Sequence, residues 1–170
     1  MIRLVFAFAL ISPLAAAAQA EGIENLPATI AIKAPVPLAQ LQGAGAQIYI
    51  CANNAAGVLD WTFREPVATL LDGGKTVGRH FMGPTWEFVD GSRVAGELVS
   101  KAPGATAKDI PWLKLSVEQP QKSGLVAGAT SILRIDTKGG VFGGACDSEG
   151  ELHSEPYTAT YIFVKSSEPR

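Results

Sequence analysis

The chain has 170 residues, of which 47% are apolar and 18% charged, with two Cys and a formal net charge of -2. These proportions are typical of one globular domain and exclude collagen-like, intrinsically disordered and disulfide-dense proteins. Because the balance is slightly acidic and no basic run is present, we expect no binding to nucleic acid.

The N-terminus has the pattern of a secretory signal peptide. Arg3 precedes an apolar run over residues 4–14, and the small residues Ala18 and Ala20 stand where a signal peptidase cuts. The run is shorter than the roughly 20 residues that a membrane-spanning helix needs. We therefore expect cleavage before Glu21, a secreted or periplasmic location, and no stable membrane insertion after cleavage.

The segment after the predicted cleavage site differs in composition from the rest. Residues 21–44 are rich in Ala and Pro, and Pro27, Pro35 and Pro37 are spaced too closely for a useful helix. We interpret this segment as an extended lead with room for one edge strand. Residues 45–165 then form the predicted domain, and residues 166–170 a short tail.

The domain has the pattern of short strands separated by turns. Stretches rich in Val, Ile, Thr, Phe and Tyr alternate with Gly, Pro and Asp, and no long window keeps a helical period. The predicted strands are Gln47–Ala52, Asp60–Leu71, Thr76–Met82, Thr85–Val89, Arg93–Ser100, Trp112–Glu118, Thr130–Asp136 and Tyr157–Lys165. This pattern predicts an all-β, single-domain fold: an antiparallel β-sandwich or barrel of about eight strands.

Two tight turns set the predicted register of the central strands. Asp90-Gly91 and Gly83-Pro84 both fit two-residue hairpin turns. On that register His80 lies opposite Glu87 and shares its face, whereas Trp86 lies on the other face. One extra loop residue would exchange the two faces.

Several motifs together carry a resemblance to a known family. Residues 80–92 read H-x-x-G-P-T-W-E-x-x-D-G-S without a gap. Further matches lie at Gly45–Cys51, Val77–His80, Ile110–Leu113, Thr137–Gly140, Cys146–Asp147 and Tyr157–Tyr161. This pattern resembles the DUF3455 family of exported proteins over residues 45–165. The resemblance implies a small secreted or periplasmic domain and supplies no activity.

Cys51 and Cys146 are the two cysteines of the chain. In an oxidising compartment we predict that they form a disulfide and leave no free thiol. A redox or metal-binding pair has little support, because there is no C-x-x-C motif and no His beside either Cys.

The leading functional hypothesis is a binding module without catalytic activity. Its predicted ligand-binding residues are Arg79, His80, Trp86, Glu87 and Arg93, and the expected partner is a small molecule, a glycan or an envelope protein. The three tryptophans, Trp61, Trp86 and Trp112, fit either an aromatic binding wall or ordinary core packing.

The alternative hypothesis is a cofactor-independent hydrolase or lyase. His80 would act as the base, and Glu87 or Asp90 would orient it. The simpler interpretation is that His80 is a paired strand residue and Asp90 a turn former. We expect no cofactor, because no G-x-G-x-x-G turn follows a strand, and no metal, because His80 and His153 are the only histidines.

Overall fold

A computed structural model describes residues 22–166. The predicted signal peptide, its cleavage site and most of the predicted tail lie outside these described residues. The strands are β1 (Val36–Asn53), β2 (Leu59–Asp72), β3 (Lys75–Phe81), β4 (Thr85–Phe88), β5 (Arg93–Ala102), β6 (Trp112–Val117), β7 (Ser131–Gly139) and β8 (Leu152–Lys165).

The eight strands form one closed barrel. Each strand pairs antiparallel with the next in the chain, and β8 pairs with β1 to complete the ring. The described residues contain no helix. The all-β antiparallel prediction is therefore confirmed, and of the two arrangements that the sequence left open the protein adopts the barrel.

The first strand is longer than the sequence pattern indicated. β1 begins at Val36 rather than Gln47, so residues 36–44 of the predicted lead belong to the barrel wall. These residues pair with β8, and from Gln42 onward β1 also pairs with β2. Pro37 fits near the start of the strand, where a missing backbone N–H is tolerated.

Side chains alternate between the barrel interior and its outer face. In β8, Tyr161 and Phe163 point into the interior cluster, whereas Ile162 and Val164 point outward. The outward side chains are buried nevertheless, because Ile30 of the N-terminal segment packs on them. Both faces of the last part of β8 thus lie in apolar surroundings, which explains the apolar run Tyr161–Val164.

The register of the hairpins differs from the prediction by one residue at each turn. Thr85 pairs with Phe81, which leaves the three-residue loop 82–84. Glu87 pairs with Arg93, and the Phe88 N–H donates to the Ser92 carbonyl oxygen, which leaves a second three-residue loop, 89–91. In the second loop only Gly91 has a positive φ, of 82°, as in a type I turn closed by a glycine bulge. His80 therefore pairs with Trp86 and not with Glu87.

The two ends of the barrel are built differently. We call the end with the β1–β2, β3–β4, β5–β6 and β7–β8 loops the open end, and the other the closed end. At the closed end the β6–β7 loop inserts Val126 and Ala129, both fully buried, into the interior cluster. At the open end the disulfide Cys51–Cys146 joins β1 to the β7–β8 loop, which confirms the predicted pairing.

Candidate functional site

A cavity of about 350 Å³ occupies the barrel interior towards the open end. Its volume lies at the lower end of the range of small-molecule sites in proteins. The lining side chains are mainly apolar or aromatic, with few polar groups among them. They are Gln47, Tyr49, Phe63, Arg64, Pro66, His80, Met82, Gly83, Pro84, Trp86, Ile110, Pro111, Leu113, Leu115, Arg134, Val141 and Tyr161.

An interrupted strand pairing lies beside this cavity. β2 pairs with β3 only between Ala68 and Asp72, because β3 ends at Phe81. The preceding part of β2 contributes Phe63, Arg64 and Pro66 to the lining, and the β3–β4 loop contributes Met82 to Pro84. The cavity is therefore bordered by side chains of a strand edge and a loop, where the barrel wall is incomplete.

Aromatic rings form the inner wall. The His80 ring stacks on Trp86 with centroids 4.4 Å apart, and Tyr161 meets both rings edge-on. Phe163 continues the edge-to-face packing from Trp86 towards the closed end. These contacts fix the orientation of His80 and Trp86, so this wall of the cavity is preformed.

His80 is neutral at physiological pH. It is 2% exposed, and burial lowers its pKa to about 4. Its Nδ1 lies 2.9 Å from the Thr85 carbonyl oxygen, which can only accept, so Nδ1 carries the proton and donates. Nε2 is therefore the unprotonated nitrogen of the ring.

Arg134 is the charged residue of the inner wall. It stands between Leu133 and Ile135, which point outward, and thus shares the inward face of Ile132. Its Nε and Nη2 donate to the Pro111 carbonyl oxygen at 3.2 and 2.9 Å. Desolvation lowers the pKa of the guanidinium, while the neighbouring Tyr161 hydroxyl opposes that shift.

A chain of hydrogen bonds runs from Arg134 across the interior. Tyr161 is hydrogen-bonded to Arg134 and, at 3.0 Å, to the Tyr157 hydroxyl, which in turn contacts Gln47. Burial raises the pKa of both tyrosines, so both hydroxyls remain protonated at physiological pH. The network is thus a set of neutral side chains organised around one cation.

Two buried side-chain nitrogens of cavity-lining residues have no hydrogen-bond partner among the described residues. They are Gln47 Nε2 and Trp86 Nε1, and both side chains are almost fully buried. Leaving a buried donor unsatisfied costs about 1–3 kcal/mol.

The five ligand-binding residues that the sequence predicted lie on two different faces of the barrel wall. His80 and Trp86 line the cavity. Arg79 and Glu87 form an ion pair at 3.1 Å on the outer face, where Arg93 also lies. Arg79 and Arg93 both stack over the exterior ring of Phe81, at 4.9 and 5.3 Å from its centroid.

The predicted acid–base pairing of His80 with Glu87 or Asp90 is not formed. Glu87 lies on the opposite face of the sheet, because the register is shifted by one residue. Asp90 belongs to the turn at the closed end, where it accepts hydrogen bonds from Ser92 and from the Leu125 N–H. These bonds hold the pKa of Asp90 below its usual value.

The three tryptophans occupy separate surroundings and do not form one wall. Trp86 lines the cavity, and Trp112 packs against the outer apolar cluster. Trp61 contacts Phe142 and His153, whose rings stack 3.6 Å apart near the disulfide. Only Trp86 is therefore placed to contact a molecule in the cavity.

The sequence did not predict three residues of the cavity lining, which are Arg134, Tyr161 and Gln47. A signal for Arg134 exists: it is the single charge within the apolar run Ile132 to Ile135. Gln47 stands in a similar position, as a polar residue in the strand before Ile48. Inward-pointing polar residues in an otherwise apolar strand are a recognisable mark of an interior site.

Residues 22–166 contain no group of three or more His, Cys, Asp or Glu side chains arranged to hold a metal ion. Within the same residues, no helix has the length and apolar character of a membrane span.

Comparison with known proteins gives one match. No curated protein and no solved structure is similar enough to the chain to count as a match. The family model described as "Protein of unknown function (DUF3455)" matches residues 33–165, which is most of the chain. The match includes the cavity-lining strands and both cysteines. The chain therefore belongs to the DUF3455 family.

Proposed function

We propose that this protein binds a small molecule inside its barrel. The observation that carries the proposal is the interior cavity of about 350 Å³, which is lined mainly by apolar and aromatic side chains and includes the guanidinium-bearing Arg134. Eight-stranded barrels have an interior that suits either filling side chains or one small ligand. Here side chains fill the closed end and leave space towards the open end.

The shape of the site favours a small molecule over the glycan and the envelope protein that the sequence analysis also named. A cavity bordered by Trp86, Leu115 and Tyr161 encloses its ligand, whereas a protein partner requires an extended outer surface. The hydrolase or lyase hypothesis gains no support, since His80 is apart from Glu87 and Asp90.

The proposal includes export to a secreted or periplasmic location. The signal-peptide pattern of residues 1–20 supports it, as does the Cys51–Cys146 disulfide, because such bonds persist in oxidising compartments. N-terminal sequencing of the protein from its producing cell should begin at Glu21. A chain that retains residues 1–20 would contradict export by this signal.

Native mass spectrometry tests the binding proposal. We expect the protein purified from its producing cell to carry an excess mass that disappears on denaturation. Val141 lines the cavity and is 43% exposed, so Val141→Trp should obstruct the site without disturbing the core. Val89, 76% exposed in the β4–β5 turn at the closed end, provides the control Val89→Trp.

The two variants should differ. Val141→Trp should lose the excess mass, and Val89→Trp should keep it, with both circular dichroism spectra unchanged. A bare wild-type chain, or equal retention by the two variants, would contradict binding within the barrel.

A further inference from the structure

The cavity lining carries positive but no negative side chains. Arg64, His80 and Arg134 are the basic residues of the lining, and among its described residues there is no Asp or Glu. Arg64 is already engaged with Glu65, at 3.2 Å. Arg134 therefore has no carboxylate partner among the described residues, although it is set in the inner wall.

Arg134 also retains hydrogen-bonding capacity. A guanidinium has five N–H donors, and the Pro111 carbonyl and the Tyr161 hydroxyl do not use them all. The Pro111 carbonyl holds Nε and Nη2 in place, so the orientation of the guanidinium plane is fixed. A positioned guanidinium with free donors matches the two oxygens of a carboxylate.

Tyr161 and Tyr157 continue the hydrogen bonding beside Arg134. Arg134 donates to the Tyr161 hydroxyl, and Tyr161 can donate in turn to the Tyr157 hydroxyl at 3.0 Å. The N–H groups of Arg134 that these bonds do not use are therefore the donors that an acceptor on the ligand would satisfy.

We propose that the ligand is a small carboxylate with an apolar body, bound at its charged end by Arg134. This inference rests on the proposed binding function. The apolar body would contact Trp86, Leu113 and Leu115. We expect the ligand to carry a single negative charge. Arg64 is paired with Glu65 and His80 is neutral, so Arg134 is the one cation of the lining whose charge a ligand would balance.

Two probes that differ only in charge test this inference. 4-Phenylbutanoate and its neutral amide, 4-phenylbutanamide, have nearly the same shape, and their dissociation constants are measured by calorimetry at pH 7. We expect the carboxylate to bind at least about tenfold more tightly, since a hydrogen bond to a charged group is worth more than a neutral one.

Two variants test whether Arg134 causes the preference for the carboxylate over the amide. Arg134→Gln should bring the two dissociation constants together, whereas Lys101→Gln, which removes one exposed positive charge from β5, should leave the preference intact. If Arg134→Gln does not fold, Arg134→Lys keeps the charge and loses the planar fork, so the preference should fall several-fold.

Each contrary result overturns the inference. Equal binding of the two probes to the wild type, a preference that persists without the Arg134 guanidinium, or no binding of 4-phenylbutanoate at millimolar concentration would each contradict a carboxylate site. The mass spectra of Val141→Trp and Val89→Trp decide the binding function separately, because they depend on no probe.

Discussion

His80 shows how burial determines the protonation state of a single residue. Its pKa is about 4 in the folded protein, against about 6.5 for an unperturbed histidine. Between these values the unfolded chain binds more protons, so the free energy of unfolding rises with pH through this window and falls on acidification. The contribution is roughly 3 kcal/mol at most.

Urea unfolding at pH 7 and pH 4 measures this effect. The decrease in the free energy of unfolding on acidification should be smaller in His80→Gln, which cannot titrate, than in the wild type. The other histidine, His153, is only partly buried and provides the control His153→Gln. An equal decrease in the wild type and in His80→Gln would contradict a neutral, buried His80.

At the scale of single residues, the sequence predicted part of the site. His80 and Trp86 were selected because they lie in a dense motif, and both line the cavity. Arg134 was not selected, because one arginine in a strand has no local motif around it. Its position in the site depends on the β5–β6 loop and on strand β8, which bring the Pro111 carbonyl and the Tyr161 hydroxyl into hydrogen-bonding contact with it.

At the scale of the elements, the order and type of the strands were predictable but the faces were not. Asp90-Gly91 fits a two-residue turn and a three-residue turn equally well, and the difference decides which side chains point inward. The longer loops place Glu87 outside and Trp86 inside. Local sequence does not fix this choice, because interior packing of Trp86 against Tyr161 stabilises one register.

The Asp90 carboxylate should hold the β6–β7 loop on the closed end. It accepts the Leu125 N–H at 2.7 Å and the Ser92 N–H at 2.8 Å. Asp90→Ala should therefore increase hydrogen exchange at the Leu125 amide by at least tenfold, with exchange in β8 unchanged. Unchanged protection at Leu125 would show that the loop is held by Val126 and Ala129 alone.

Gly45 lies at a position where β1 and β2 leave no room for a side chain. A Cβ atom there would lie 2.0 Å from the Val67 carbonyl oxygen, whereas a Cβ at Gly143 would meet nothing within 4 Å. Gly45→Ala should destabilise the barrel by about 2 kcal/mol or more, as overpacking does, and Gly143→Ala by little. Chemical denaturation of both variants tests this, and similar midpoints would contradict it.

For the whole molecule, the sequence could not decide between sandwich and barrel. Alternating side chains and tight turns specify strands in either arrangement, since both bury one face of each strand. Closure depends on pairing between the first and last strands, from Val36 with Lys165 to Ile50 with Leu152. No local pattern predicts a contact between segments so distant in the chain.

The disulfide should stabilise the whole barrel. It joins residues 95 positions apart, and cross-linking a loop of about 100 residues stabilises by up to about 4.7 kcal/mol through the unfolded state. The double variant Cys51→Ser/Cys146→Ser should lose several kcal/mol of unfolding free energy in urea. A loss below about 1 kcal/mol would show that closure of the sheet alone confines the chain.

We expect the ligand to bind inside the barrel and not on its outer face. Titration of the isotope-labelled protein with 4-phenylbutanoate, followed by NMR, tests it most directly. We predict saturable shifts of the Trp86 indole N–H and the Arg134 Nε–H, with the backbone amides of Arg79, Glu87 and Arg93 changing least. Shifts confined to Arg79, Glu87 and Arg93, with Trp86 and Arg134 unmoved, would contradict the claim.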